Sequence, residues 1–81
     1  MDTNMIAVGN IGELKGSLKF WRIYRNLSQK DLAMMCGVTT QTITNLETGK
    51  YQISKSMLIT VAYNLKVNED QILTPYEIQG A

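Results

Sequence analysis

Residues 39–48 read Thr-Thr-Gln-Thr-Ile-Thr-Asn-Leu-Glu-Thr, and only Ile43 and Leu46 among them are apolar. Amides and hydroxyls do not break bonds unaided. They recognise other groups by hydrogen bonding. If the segment is helical with Ile43 and Leu46 inward, then Thr40, Gln41, Thr44 and Asn45 fall on the outward face or in the first turn. A Gln or Asn amide can pair with N6 and N7 of adenine together, and a Thr methyl can touch the methyl of thymine. The same row also suits a plain solvated helix face, and the residues alone leave the two readings level.

Neighbouring residues have chemistry suited to phosphate. Gln29 stands in the first turn of a preceding helix, where free N–H groups gather and an anion is welcome. Thr48, Lys50 and Lys55 flank the other end. A lysine there is a point charge that positions a backbone and carries no sequence information. The net charge is only +1, but it is unevenly spread: +4 over residues 17–60, −1 over residues 1–16 and −2 over residues 61–81. A basic middle between acidic ends can meet a polyanion on one face.

Little else in the chain can do chemistry. It has no histidine and one cysteine, so no His-based triad, zinc site or internal disulfide is available, and no metal or other cofactor is expected. Gly12 and Gly16 lack the Lys-Ser/Thr that a phosphate-binding loop needs. Cys36 reads as a small buried hydrophobe, and Met34, Met35, Met57 and Trp21 read as packing residues. At 81 residues and 44% hydrophobic composition, the chain is one small globular domain. No apolar run approaches the roughly 20 residues of a membrane span, and Met5 to Val8 is too short for a signal peptide. A reducing, cytoplasmic setting is expected.

The elements that must position these groups are helices. Asn10-Ile-Gly-Glu13 has the form of a capping box, followed by the stripe Ile11, Leu14, Leu18 and Trp21, so a first helix is predicted from residue 10, with Asn26 ending it. Ser28-Gln-Lys-Asp31 opens a second, with Leu32, Ala33 and Cys36 inward and Gly37 as terminator. Thr39 caps a third, ended by Gly49. Ser54 caps a fourth, with Leu58, Val61, Ala62 and Leu65 inward. Asn68 opens a short fifth carrying Ile72 and Leu73, stopped by Thr74-Pro75. Nothing alternates with period two for long. The prediction is an all-α, five-helix domain over residues 10–74, with an N-terminal arm at 1–9 and a C-terminal tail at 75–81.

Cys36-Gly37-Val38-Thr39 joins the second and third helices, with Gly where a left-handed angle is needed. Ala33, one turn earlier, lets the two cross closely, and Leu32, Cys36, Val38, Ile43 and Leu46 fill the wedge. That is the sequence logic of a helix-turn-helix. From Leu18 to Leu73, through LKFWR, LSQKDLA, GVTTQTITNLETGK and SKSMLITVAYNLKV, the chain resembles the lambda-repressor-like, Cro/XRE-type helix-turn-helix domains. It departs from their pattern at Ile53, often Pro in that family, and in the modest charge of the third helix.

The resemblance implies roles. Thr39, Thr40, Gln41 and Asn45 match positions that contact base edges or nearby backbone. Arg22 and Glu47 match a structural ion pair that ties the first helix to the end of the third. The expected function is a sequence-specific double-stranded DNA-binding transcription regulator, a small phage- or plasmid-type repressor acting by operator occlusion. It is expected to be a homodimer on a two-fold operator, with no membrane or small-molecule partner. The alternative is an antitoxin-like or anti-repressor module that uses the same fold to hold a protein. An enzyme has no residues behind it.

Overall fold

The computed structural model describes Gly12 and residues 14–74. Four α-helices carry the fold: α1 (Leu18–Tyr24), α2 (Gln29–Cys36), α3 (Thr40–Thr48) and α4 (Lys55–Leu65). A 3₁₀ turn follows at Glu69–Gln71. Two short strands, β1 (Gly16–Ser17) and β2 (Ile72–Leu73), pair in parallel, Gly16 opposite Ile72 and Ser17 opposite Leu73. The class is all-α, with a minimal sheet closing it.

Local chemistry sets most helix boundaries. Ser28, Thr39 and Ser54 are N-caps, each accepting from the backbone N–H three residues on. Asp31 completes the α2 capping box by accepting from Ser28 N at 3.0 Å. Gly37 (φ 72°) and Gly49 (φ 78°) end α2 and α3 in the left-handed region, where a Cβ is strained. Asn26 adopts the same region (φ 60°) just past α1. Lys66 does so at the end of α4 (φ 61°), against the usual preference for glycine. Arg25 serves the carbonyls freed there, donating from Nε to Leu65 O at 2.7 Å and from Nη2 to Lys66 O at 3.2 Å.

Two sequence expectations are corrected. The first helix does not run from residue 10: Leu14 and Lys15 are irregular, Gly16–Ser17 is extended, and α1 starts at Leu18. Ser17 is the working cap, its Oγ accepting from Phe20 N at 3.0 Å. Leu14 is exposed accordingly. Asn10, Ile11 and Glu13 lie outside the described residues. Gly16 disfavours helix, and the ring of Phe20 lies where its Cβ would be, 2.3 Å away. The second correction is the fifth helix, which is a single 3₁₀ turn. Beyond it Ile72 and Leu73 are extended and bond to the open edge of β1, so non-local pairing displaces a helix three residues long.

The core joins Leu18 and Trp21 of α1, Leu32 and Ala33 of α2, Ile43 and Leu46 of α3, Val61, Ala62 and Leu65 of α4, and Ile72 of β2. Cys36, Val38, Ile53, Met57 and Leu58 pack at its margin. Met34 and Met35 do not pack. With Leu32, Ala33 and Cys36 inward, both turn outward and are exposed. Trp21 has no exposed surface, and its indole N–H donates to Gln71 O at 2.8 Å. Gln71 Nε2 in turn donates to Leu14 O at 3.0 Å, tying the last turn to the approach to β1.

Candidate nucleic-acid interface

Helix α3 is fixed on one side and open on the other. Ile43 and Leu46 are buried in the core. Thr40, Gln41 and Thr48 are exposed, and Thr44 and Asn45 half-buried. The outward row is therefore made of short hydroxyls and two amides. Thr39 sits at the N-terminal tip. Its Oγ1 accepts from Thr42 N at 3.1 Å and shares a 2.9 Å hydrogen bond with the Thr42 hydroxyl. Helix α2 packs closely on α3 and supplies its supporting frame.

A chain of polar contacts locks that frame. Arg22 Nε donates to Glu47 Oε2 at 2.6 Å and Nη2 to Oε1 at 3.4 Å. Arg22 Nη1 reaches Leu27 O at 2.8 Å, in the link between α1 and α2. Gln29 Nε2 donates to Glu47 Oε1 at 3.0 Å, and Gln29 Oε1 accepts from Thr44 Oγ1 at 2.9 Å. Thr44 has one hydroxyl proton and a second acceptor, Thr40 O at 3.2 Å, so the shorter contact to Gln29 holds the better claim to it. Three helices thus meet through Arg22, Gln29, Thr44 and Glu47.

This places each candidate residue. Gln29 is a bridge, with amide atoms bonded inward on both sides. What α2 offers an anion is then the remaining N–H of Gln29 Nε2 and the N–H groups of Gln29 and Lys30, because those of Ser28 and Asp31 are consumed by the capping box. The backbone N–H of Ser28, and after it the Ser28 hydroxyl, hold the Asp31 carboxyl below the usual aspartate value. Thr48 Oγ1 donates back to Thr44 O at 3.0 Å and contacts Asn45 O at 3.3 Å, leaving its methyl and lone pairs outward. Gln41 and Asn45, one turn apart, are joined side chain to side chain: Gln41 Nε2 donates to Asn45 Oδ1 at 3.0 Å.

The cations divide. Lys50 is exposed just past the α3 C-cap, its Nζ 5.7 Å from the ring centroid of Tyr51. Lys55 is drawn away from the group, to Glu69 Oε1 at 2.6 Å. Arg22 and Arg25 are spent on Glu47 and on the end of α4. Of the basic middle, Lys19, Lys30 and Lys50 have no ion pair among the described residues. Sequence reasoning missed the bridge made by Gln29, the capping by Arg25 and the hold of Glu69 on Lys55. Each depends on a partner 14 or more residues away and leaves no local signature.

Cys36 lies half-buried with Asn64 Nδ2 3.6 Å from its sulfur, and desolvation pushes its thiol above the ordinary value. Among the described residues no cluster of His, Cys, Asp and Glu is suited to a metal, and no helix is long and apolar enough to cross a membrane.

Comparison with known proteins agrees with this geometry. The family model described as "Helix-turn-helix" matches residues 18–72. An uncharacterized HTH-type transcriptional regulator of Methanocaldococcus jannaschii is 38% identical over 58 residues, covering 69% of this chain and 88% of that protein. The crystal structure of a hypothetical transcription factor, NHTF, from Neisseria superposes with a TM-score of 0.65 at 26% identity, over 78% of this chain and 72% of that one. With α2, the Gly37 turn and α3 at the centre of the matched segment, the chain belongs to the lambda-repressor-like, Cro/XRE-type helix-turn-helix family of DNA-binding domains.

Proposed function

We propose that the chain is a sequence-specific regulator of transcription that binds double-stranded DNA, a small repressor of the phage or plasmid kind that acts by covering its operator. The observation that carries this reading is the outward row of α3. Its two amides and its hydroxyls stand on a helix whose other face is core and whose end is pinned by Arg22. Thr39, Thr40, Gln41, Thr44 and Asn45 face base edges in the major groove. Gln29, Thr48, Lys50 and Lys55 lie along the phosphates, with Lys55 shared with Glu69. The regulator from Methanocaldococcus jannaschii and the transcription factor from Neisseria support the regulatory role.

The DNA-binding domain of this reading is residues 10–74, between an arm (1–9) and a tail (75–81). A homodimer on a two-fold site would set its reading helices about 34 Å apart. The setting is the cytoplasm, where the DNA is. The test is to select bound sequences from random duplex DNA and then titrate the selected duplex against a scrambled one at fixed salt. Gln41→Ala should weaken the selected complex by about 1–3 kcal/mol and hardly change the scrambled one. Equal affinity of wild type for both duplexes overturns the reading.

A further inference from the structure

Thr44 has a single hydroxyl proton, and the fold fixes where it goes. Arg22 can only donate, and it reaches both oxygens of Glu47, so the carboxylate accepts. The Gln29 atom that faces Glu47 Oε1 at 3.0 Å is therefore the amide nitrogen, which turns Gln29 Oε1 toward Thr44. An amide oxygen has no proton to give, so Thr44 is the donor in the 2.9 Å contact. The other neighbour of the hydroxyl, Thr40 O at 3.2 Å, is a carbonyl and also only accepts. Whichever of the two holds it, the proton points into the domain. This polarity starts from an ion pair largely withdrawn from solvent.

We infer that Thr44, its hydroxyl held inward, reads thymine through its methyl group. This rests on the proposal that α3 reads DNA and adds to it one base and the means of reading it. A threonine whose proton is spent has no donor for guanine N7 or O6, nor for thymine O4. It keeps a methyl group and the lone pairs of its oxygen. The oxygen is turned toward Gln29 on α2 and toward the preceding turn of α3, so the methyl is the group left to meet a base. Thr44 is half-buried and keeps part of its surface open to solvent. In the major groove the apolar complement of a methyl is the C5 methyl of thymine.

The experiment is selection from random duplex DNA at one fixed salt concentration with wild type, Thr44→Ser and Thr44→Val. Serine keeps the hydroxyl and loses the methyl, so a thymine selected by wild type at one step should no longer be preferred. Valine keeps the methyl and has no hydroxyl, so that preference should persist. A second arm replaces each thymine of the selected duplex in turn by deoxyuridine, which keeps every hydrogen-bonding group and lacks only the methyl. At one step wild type and Thr44→Val should each lose about fourfold in affinity, the worth of one buried methyl-sized group. Thr44→Ser should lose nothing there. The deoxyuridine arm on wild type needs no variant to fold. A Thr44→Ser selection identical to that of wild type overturns the inference and leaves the regulator reading standing. So does a preference lost in Thr44→Val and kept in Thr44→Ser, or a wild type indifferent to deoxyuridine at every step. No sequence preference in wild type overturns both.

Discussion

Arg22 and Glu47 meet at 2.6 Å with side chains only 11% and 4% exposed, so the one acidic residue of α3 is neutralised from inside the domain. Were it unpaired, that carboxylate would stand on the helix proposed to approach DNA. The fork of the guanidinium matches both carboxylate oxygens, and Gln29 adds a third donor. The contact therefore holds α1 to α3 and also silences a charge.

Arg22→Ala is expected to lose about 3–5 kcal/mol of stability, because it strands a buried carboxylate. Arg22→Lys should recover only part of that, since a single ammonium cannot form the fork. Urea midpoints of the two variants and of Lys50→Ala measure this. A loss for Arg22→Ala no larger than that for Lys50→Ala would show that the pair holds nothing together.

Lys50 and Lys55 should separate by salt. Lys50→Ala is expected to lower the slope of log affinity against log salt by about 0.9, one phosphate's worth. Lys55→Ala should lower it by less, because Glu69 already neutralises that ammonium at 2.6 Å. Equal slopes for the two variants would mean that Glu69 releases Lys55 when DNA arrives.

Asp31 should add an acid-sensitive component to stability. Its carboxyl is held below the usual aspartate value by the Ser28 backbone N–H and hydroxyl. A depressed value in the folded state contributes stability above the unfolded pKa and loses it as pH falls through the folded one. Thermal midpoints should drop below about pH 4, and Asp31→Asn should flatten that part of the profile. A profile unchanged by Asp31→Asn would assign the acid sensitivity to other carboxylates.

Trp21→Phe should destabilise the domain by about 1–3 kcal/mol through loss of the buried bond to Gln71 O. Circular dichroism is the suitable signal, because the substitution removes the chain's only tryptophan. A change under about 0.5 kcal/mol, typical of a surface substitution, would mean that the indole N–H contributes nothing there.

Features settled within a few residues were legible in the sequence. Ser28, Thr39 and Ser54 cap because a hydroxyl reaches the amide three residues on, and Gly37 and Gly49 stop helices because they tolerate positive φ. The outward phase of Gln41 and Asn45 followed from Ile43 and Leu46 facing inward. Features settled by distant partners were not legible. Asn10 and Ser17 both have cap chemistry, and only the pairing of Gly16–Ser17 with Ile72–Leu73 decides that α1 begins at Leu18. The same pairing turns a supposed fifth helix into a strand. Arg22 and Glu47 stand 25 residues apart and were brought together by resemblance to a family, not by any local pattern. In the sequence Gln29 reads as a first-turn residue suited to an anion, because the donor and the acceptor it bonds lie 15 and 18 residues onward.

The parallel pairing of β1 with β2 makes the domain a closed circuit with a late clasp. All four helices lie between the two strands, and the Trp21–Gln71 bond spans 50 residues. On the ribosome, α1 must wait with its tryptophan unsealed until residues 71–73 emerge. A nascent chain halted after Leu65 would hold every residue of α3 and still lack the strand that seals α1. Long-range closure of this kind slows folding relative to a simple helical hairpin, and it ties the sealing of α1 to completion of the whole domain.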